Sequence, residues 1–187
     1  MRPLSKEDYE SGLDEYDPEY RVFPKIAERI TAGGELTKQD MLRILKWKLG
    51  RVKDSNSETV SDEHLKQINN AVNSACKLDC GADSLEALDR IPGIGLATAT
   101  AILTICYPEK YTILDLRVLE ILEEGTRPSA DDWTASTYMK EFLPKVRQQQ
   151  ALWACSLRNA DRALWGLSAS SRIAQVIDAS IGPLKIN

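Results

Sequence analysis

Apolar residues recur along the chain at intervals of three and four, the spacing of helices that bury one face. The first such stripe begins at Pro18 and stops at the pair Gly33-Gly34, because glycines commonly end helices. Thr37, followed three residues later by Asp40, predicts the capped start of a second helix that ends near Gly50. Segments that alternate apolar and polar residues, as strands do, are few. The pattern therefore predicts an all-α protein.

The rest of the pattern is also helical. Ser61 predicts the start of a helix that runs toward Cys76, and Ser84 is expected to cap a short helix over residues 85–90. Later stripes predict three more helices: Asp115 to Gly125, Ser129 or Asp131 through Val146, and Leu157 to Leu167. Three tryptophans of this half are expected in the core: Trp133, Trp153 and Trp165.

Composition narrows the class of protein. The 187 residues are 43% hydrophobic and 28% charged, which is ordinary for a soluble globular protein. No apolar run approaches the roughly 18 residues that a membrane span needs, and the N-terminus is acidic rather than signal-like. We therefore expect a cytoplasmic protein without a membrane partner, associated with the nucleoid if its source is bacterial.

Cysteine and histidine give little support for a metal centre. The four cysteines are too widely spread for a zinc set or an iron–sulfur cluster: Cys76, Cys80, Cys106 and Cys155. They are expected to be free, mostly buried thiols. The single histidine, His64, lies in a polar stretch, which argues against histidine-based metal or triad chemistry. The sequence therefore predicts no iron–sulfur cluster and no organic cofactor.

The net charge of −4 argues mildly against nucleic-acid binding, but the charges are unevenly distributed. Residues 7–19 hold seven acids and no base, whereas residues 43–53 hold five bases and no acid. Four residues of this basic helix are candidate contacts to DNA or to a base pocket: Arg43, Lys46, Trp47 and Lys48. The alternatives are a solvated face for the bases and a core position for Trp47.

The segment Ile91-Pro92-Gly93-Ile94-Gly95 lies between two short predicted helices. Gly93 and Gly95 permit a tight turn and a close approach of another backbone. The second helix begins near Leu96, and the N–H groups at its start carry the positive end of the helix dipole, which favours an anion. We expect the residues of this turn and helix start to bind DNA backbone phosphate: Pro92, Gly93, Ile94, Gly95, Leu96, Ala97 and Thr98. The alternative is a structural turn with two convenient glycines.

These residues, followed by Tyr111-Thr112-Ile113-Leu114-Asp115, resemble the helix-hairpin-helix-GPD superfamily of DNA glycosylases, the endonuclease-III-like enzymes of base excision. The resemblance is sharp over about 30 residues, and it places Pro108 and Asp115 on the family's loop and aspartate. It implies a two-lobed fold. We expect a central lobe over residues 36–107, with the hairpin at about 85–103, and a second lobe formed by residues 1–35 and 108–187.

The resemblance also implies a mechanism. A nucleotide flipped out of double-stranded DNA would lie between the lobes, and the carboxylate of Asp115 would stabilise the oxocarbenium ion and orient water. An ordinary N-cap is the structural alternative for Asp115. Arg117 would lie near the active site, either on phosphate or in an ion pair with Asp115.

Departures from the family restrict the chemistry. Members that cleave the strand carry a lysine where this chain has Ala97, so no Schiff-base lyase activity is expected. Family members also bind a cation through hairpin carbonyls, which map to Asp89, Ile91 and Ile94, so potassium or sodium is plausible there. The leading hypothesis is a monofunctional DNA N-glycosylase. The alternatives are a non-enzymatic DNA-binding protein and a protein-interaction module whose acidic head contacts a basic partner; the sequence identifies no specific protein partner.

Overall fold

A computed structural model of the chain describes Lys6, Asp14 and residues 17–50, 60–77, 81–122 and 133–181. The chain divides into two compact units, Met1–Tyr111 and Thr112–Asn187. The described residues form helices and no strands, which confirms the all-α prediction. None of the described helices is both long and apolar enough to cross a bilayer.

The first unit is built around one buried helix. In chain order its helices are α1 (Pro18–Arg21), α2 (Phe23–Thr31), α3 (Lys38–Leu49), α4 (Asp62–Lys77), α5 (Ala82–Asp89) and α6 (Leu96–Cys106). Every residue of α6 from Thr98 to Cys106 is buried, and α2, α3, α4 and α5 all contact it. An all-round apolar helix is expected at the centre of a bundle, because it has no face that favours water.

The second unit packs a long C-terminal helix against the others. Its elements are α7 (Leu116–Leu122), α8 (Ala135–Thr137), a π-helical segment (Tyr138–Phe142), α9 (Leu143–Trp153) and α10 (Leu157–Ile181). Helix α10 contacts both α7 and α9. It runs well past Leu167, where the sequence pattern predicted its end, and the predicted ends at Gly125, Ser129 and Asp131 lie outside the described residues.

Proline explains two local departures from the predicted helices. The first stripe is split by a turn at Val22, two residues before Pro24, whose ring and missing N–H disfavour a continuous helix. In the second unit, Pro144 follows the π-helical segment, in which Leu143 N–H donates to the carbonyl of Tyr138. A wider turn upstream of a proline relieves the clash between its ring and the carbonyl four residues earlier.

The N-terminal segment is assigned differently from the prediction. The sequence analysis grouped residues 1–35 with residues 108–187, whereas the division falls at Tyr111 and keeps the N-terminal segment in the first unit. The physical reason is the apolar face of α2, which holds Phe23, Ile26 and Ile30 and packs on α6.

Buried and exposed side chains correct several further expectations. Trp133 is half-buried, but Trp153 and Trp165 are 42% and 43% exposed, so the core prediction was wrong for these two. Ser84 does not cap α5: the N-cap is Gly81, and Ser84 is a buried residue in the first turn. Three cysteines are free thiols, with Cys106 buried, Cys155 half-buried and Cys76 exposed. The fourth, Cys80, lies outside the described residues.

Candidate nucleic-acid interface

The turn between α5 and α6 is closed by backbone hydrogen bonds and two buried isoleucines. Ile91 N–H donates to the carbonyl of Leu88 at 3.0 Å, and Ile94 N–H donates to the carbonyl of Ile91 at 2.9 Å. The side chains of Ile91 and Ile94 are buried, while Pro92 and Gly93 between them are exposed. The turn is therefore fixed from below and presents its backbone to solvent.

The two glycines of the turn have different structural roles. Gly93 has φ +82°, in the left-handed region where a side chain is strained. Gly95 has φ −89° and ψ 170°, which any residue adopts, and a Cβ added there would meet nothing within 4 Å. The fold thus explains a glycine at position 93 but not at position 95. At Gly95 the missing side chain leaves the surface open to an approaching group.

The N-terminus of α6 is not capped by any side chain. The carbonyl of Gly95 accepts N–H groups from Thr98 and Ala99, both at 2.9 Å. Within the described part of the chain, no acceptor is paired with the N–H groups of Gly95, Leu96 and Ala97. These three donors lie at an exposed or half-buried surface and carry the positive end of the dipole of α6.

The residues predicted to bind the backbone are thus divided by burial. Gly95 is exposed with Pro92 and Gly93, and Leu96 and Ala97 are half-buried, so their backbones are accessible. Ile94 and Thr98 are buried, which makes their side chains part of the core rather than of a surface.

The carbonyls predicted to hold a monovalent cation belong to the same turn. The Ile91 carbonyl already accepts Ile94 N–H, and a carbonyl oxygen has a second lone pair. Asp89 is exposed, at the end of α5. Among the described residues there is no group of three or more His, Cys, Asp or Glu side chains that could hold a metal.

The basic residues of α3 lie on a different part of the first unit. Lys46 is exposed, whereas Arg43 and Lys48 are half-buried. The ring of Trp47 packs edge-on against Phe23 of α2, with 5.2 Å between ring centroids. This contact favours a packing role for Trp47 over a base pocket.

Asp115 belongs to the second unit and follows a firmly held segment. The buried Tyr138 hydroxyl donates to the carbonyl of Thr112 at 2.6 Å and accepts Thr112 N–H at 3.0 Å. Ile113 and Leu114 are buried, and Asp115 is half-buried at the start of α7. Buried neighbours on one side thus fix the point at which the carboxyl group emerges.

The carboxylate of Asp115 caps α7. Its Oδ1 accepts the N–H of Arg117 at 2.9 Å, and its carbonyl accepts the N–H of Leu119 at 3.1 Å. The N-cap interpretation of Asp115 is therefore confirmed. Capping uses one acceptor position and leaves the negative charge in place, since a carboxylate offers about four such positions.

Arginines from two helices surround this end of α7. The Arg117 guanidinium lies over the Trp165 ring, 4.6 Å from its centroid. Arg172 donates through Nε to Glu120 at 3.2 Å and through its terminal nitrogen to the other Glu120 oxygen, and Ser168 also donates to Glu120. The hydrogen bond and charge of Glu120 raise the pKa of Arg172, and Asp115 adds a smaller effect of the same sign. Arg172 thus lies within the field of Asp115.

The sequence analysis missed Trp165, Ser168 and Arg172 as neighbours of α7. They recur at intervals of three and four on α10, the spacing of one helix face, so this signal was present in the sequence. Comparison of the chain with family models, with curated proteins and with solved structures gives no match.

Proposed function

We propose that this protein has a helix-hairpin-helix-GPD fold, binds DNA through the turn between α5 and α6, and acts as a monofunctional DNA N-glycosylase. The observation that carries the proposal is the open N-terminus of α6. There Gly95 is a glycine without a steric reason, and three backbone N–H groups point to an exposed surface. Phosphate is the anion for which such a helix end is best suited.

Binding of this kind is compatible with an acidic protein. The donors are backbone groups, so no lysine or arginine is required at the turn, and the net charge of −4 matters less than the local dipole. The carbonyls of Asp89, Ile91 and Ile94 are proposed to hold a potassium or sodium ion. Its positive charge would add to the attraction for phosphate at the same turn.

The proposed chemistry is assigned to Asp115. Breaking an N-glycosidic bond builds positive charge on the sugar, and a nearby carboxylate stabilises that charge. Asp115 keeps its charge while it caps α7, and it can also accept a proton from the attacking water. With Ala97 at the position of the family's lysine, water remains the nucleophile and no strand cleavage is expected.

The binding half of the proposal is tested with the variant that combines Gly93→Ala and Gly95→Ala. We expect its affinity for a short DNA duplex, measured by fluorescence anisotropy at fixed salt, to fall by at least tenfold. Gly33→Ala is the matched control, because Gly33 has φ +85° and also has open space around its Cβ position. Equal affinity of the hairpin variant and this control would refute phosphate binding at the turn.

The enzymatic half is tested by a base-release screen over duplexes that carry damaged or mismatched bases. We expect one of them to lose its base in the presence of the protein, and Asp115→Asn to slow this release by at least a hundredfold, since the carboxylate charge is lost. Duplex binding by Asp115→Asn should persist.

A second candidate is a DNA-binding protein without catalysis. The observation that favours it is the capping bond from Arg117 N–H to Asp115, which gives this aspartate a structural role. Intact DNA affinity with no base released from any substrate would establish this alternative.

A further inference from the structure

A polar groove of about 480 Å³ lies between α4 and α5 in the first unit. Five polar side chains and two alanines line it, the polar ones being Gln67, Asn70, Ser74, Asp83 and Ser84. No residue assigned above to DNA binding or catalysis takes part. A groove of this size is sufficient for a small ligand or for a single side chain of a partner.

Ser84 is the unusual member of the lining. Its side chain is 2% exposed, and its hydroxyl has no hydrogen-bond partner. A buried hydroxyl without a partner destabilises the fold, so nearly all such groups in proteins are satisfied. Gly81, and not Ser84, is the N-cap of α5, so the hydroxyl is not needed to start the helix. A ligand in the groove would supply the missing partner.

The chemistry of the groove selects the kind of ligand. Asp83 supplies the only formal charge in the lining, which contains no Lys, Arg, His or aromatic ring. An anion such as phosphate is therefore disfavoured, and a nucleobase would find no ring on which to stack.

The polar groups also offer more acceptors than donors. Ser74 already donates its hydroxyl to the carbonyl of Asn70 at 2.9 Å, and Gln67 donates its amide to Glu63 at 3.2 Å. Their oxygens remain suited to accept. A positively charged group rich in N–H donors complements such a surface.

We propose that this groove binds a guanidinium or ammonium group, either of a free small cation or of an arginine side chain in a partner protein. The carboxylate of Asp83 pairs with the charge. The hydroxyl of Ser84 and the side-chain oxygens of Gln67 and Asn70 accept the remaining N–H groups. This site is independent of the proposed DNA-binding function.

The test is a titration of the full chain, labelled with ¹⁵N, with agmatine in one arm and with an acetylated and amidated arginine in the other. We expect saturable shifts of the Ser84 and Asn70 amides, with a dissociation constant of about 1 mM or tighter. Asp83→Asn should weaken binding at least tenfold and Ser84→Ala about fivefold. Asp62→Asn is the matched control, an exposed acid at the start of α4 and outside the groove.

The two arms identify the source of the cation. Tighter agmatine indicates a free polyamine-like ligand, tighter arginine derivative indicates a partner side chain, and equal affinities assign recognition to the guanidinium itself. No saturable shift in either arm, unchanged affinity in Asp83→Asn, or saturable binding of thymidine instead would overturn the proposal. Ser84→Ala should also melt at the same or a higher temperature, because an unpartnered hydroxyl is removed. A lower melting temperature would show that Ser84 has a partner within the fold.

Discussion

Helices α3 and α6 of the first unit begin in opposite ways. At α3, Thr37 and Asp40 form a capping box: Asp40 N–H donates to the Thr37 hydroxyl at 3.2 Å, and Thr37 N–H donates to the Asp40 carboxylate at 2.8 Å. At α6 the N-cap is Gly95, and no side chain accepts the first N–H groups. The same chain therefore closes one helix end with its own side chains and leaves the other open.

This difference separates stability from recognition. A capping box satisfies the donors of a helix end and contributes about 1 kcal/mol to stability. An open end forgoes that contribution, and the N–H groups stay available for an external acceptor. The buried acceptor at α3 and the exposed donors at α6 thus serve different ends, which mutations at the two sites can distinguish.

The largest effect on stability is expected from Asp40→Ala. The Asp40 side chain is only 6% exposed and accepts from the backbone and hydroxyl of Thr37 and from Arg29. Its removal should lower the free energy of unfolding by about 3 kcal/mol, because buried donors lose a charged acceptor. Urea denaturation measures this loss. DNA affinity under folded conditions should stay the same, and a loss below about 1 kcal/mol would contradict the role given to Asp40.

The next effect is on affinity and comes from Gly95→Asp, which would give α6 the kind of start that α3 has. The backbone at Gly95 already suits an N-cap, and a side chain has space. Stability should rise by a few tenths of a kcal/mol. Affinity for a DNA duplex should fall by about 2 kcal/mol, roughly 30-fold, because the new carboxylate repels phosphate.

The reverse exchange, Thr37→Gly, is the control for this variant. It should lower stability slightly and leave duplex affinity unchanged, because α3 is not part of the proposed interface. If both variants changed affinity alike, the contrast between the two helix ends would be lost.

The smallest effect concerns the far end of α6, which is as buried as its start is open. Burial raises the pKa of the Cys106 thiol, and the charge of Asp40 adds to this effect. The unfolded chain releases this proton near the ordinary pKa of 9.0, whereas the folded chain retains it. The stabilising contribution is therefore complete below pH 9 and declines above it, by about 1 kcal/mol at pH 10.

Urea denaturation of the parent and of Cys106→Ala at pH 8 and pH 10 measures this difference. The variant should lose less stability between the two pH values than the parent. Equal losses would show that Cys106 does not take part in the alkaline destabilisation.

Local signals in the sequence predicted the elements that short-range chemistry determines. The capping box of Thr37 and the helix end at Gly50 were predicted and are confirmed, since both depend on neighbouring residues alone. The turn residues Gly93 and Gly95 were also identified, although the sequence does not reveal that only Gly93 has a positive φ.

Features that depend on tertiary packing were not predicted. Ser84 resembles an N-cap in sequence, but the chain enters α5 three residues earlier and buries it. Trp165 was expected in the core because of its size, yet it lies exposed beneath the guanidinium of Arg117. The relation of α2 to α6 also depends on contacts between residues far apart in sequence, which periodicity does not encode.

The paired hydrogen bonds between Tyr138 and Thr112 have a consequence for dynamics. They join the first residue of the second unit to a buried ring 26 positions further along the chain. Exchange of the Thr112 amide proton with solvent therefore requires Tyr138 to leave its buried position. That proton should exchange at the rate of cooperative opening of the second unit, and not at the rate of local fraying at a chain junction.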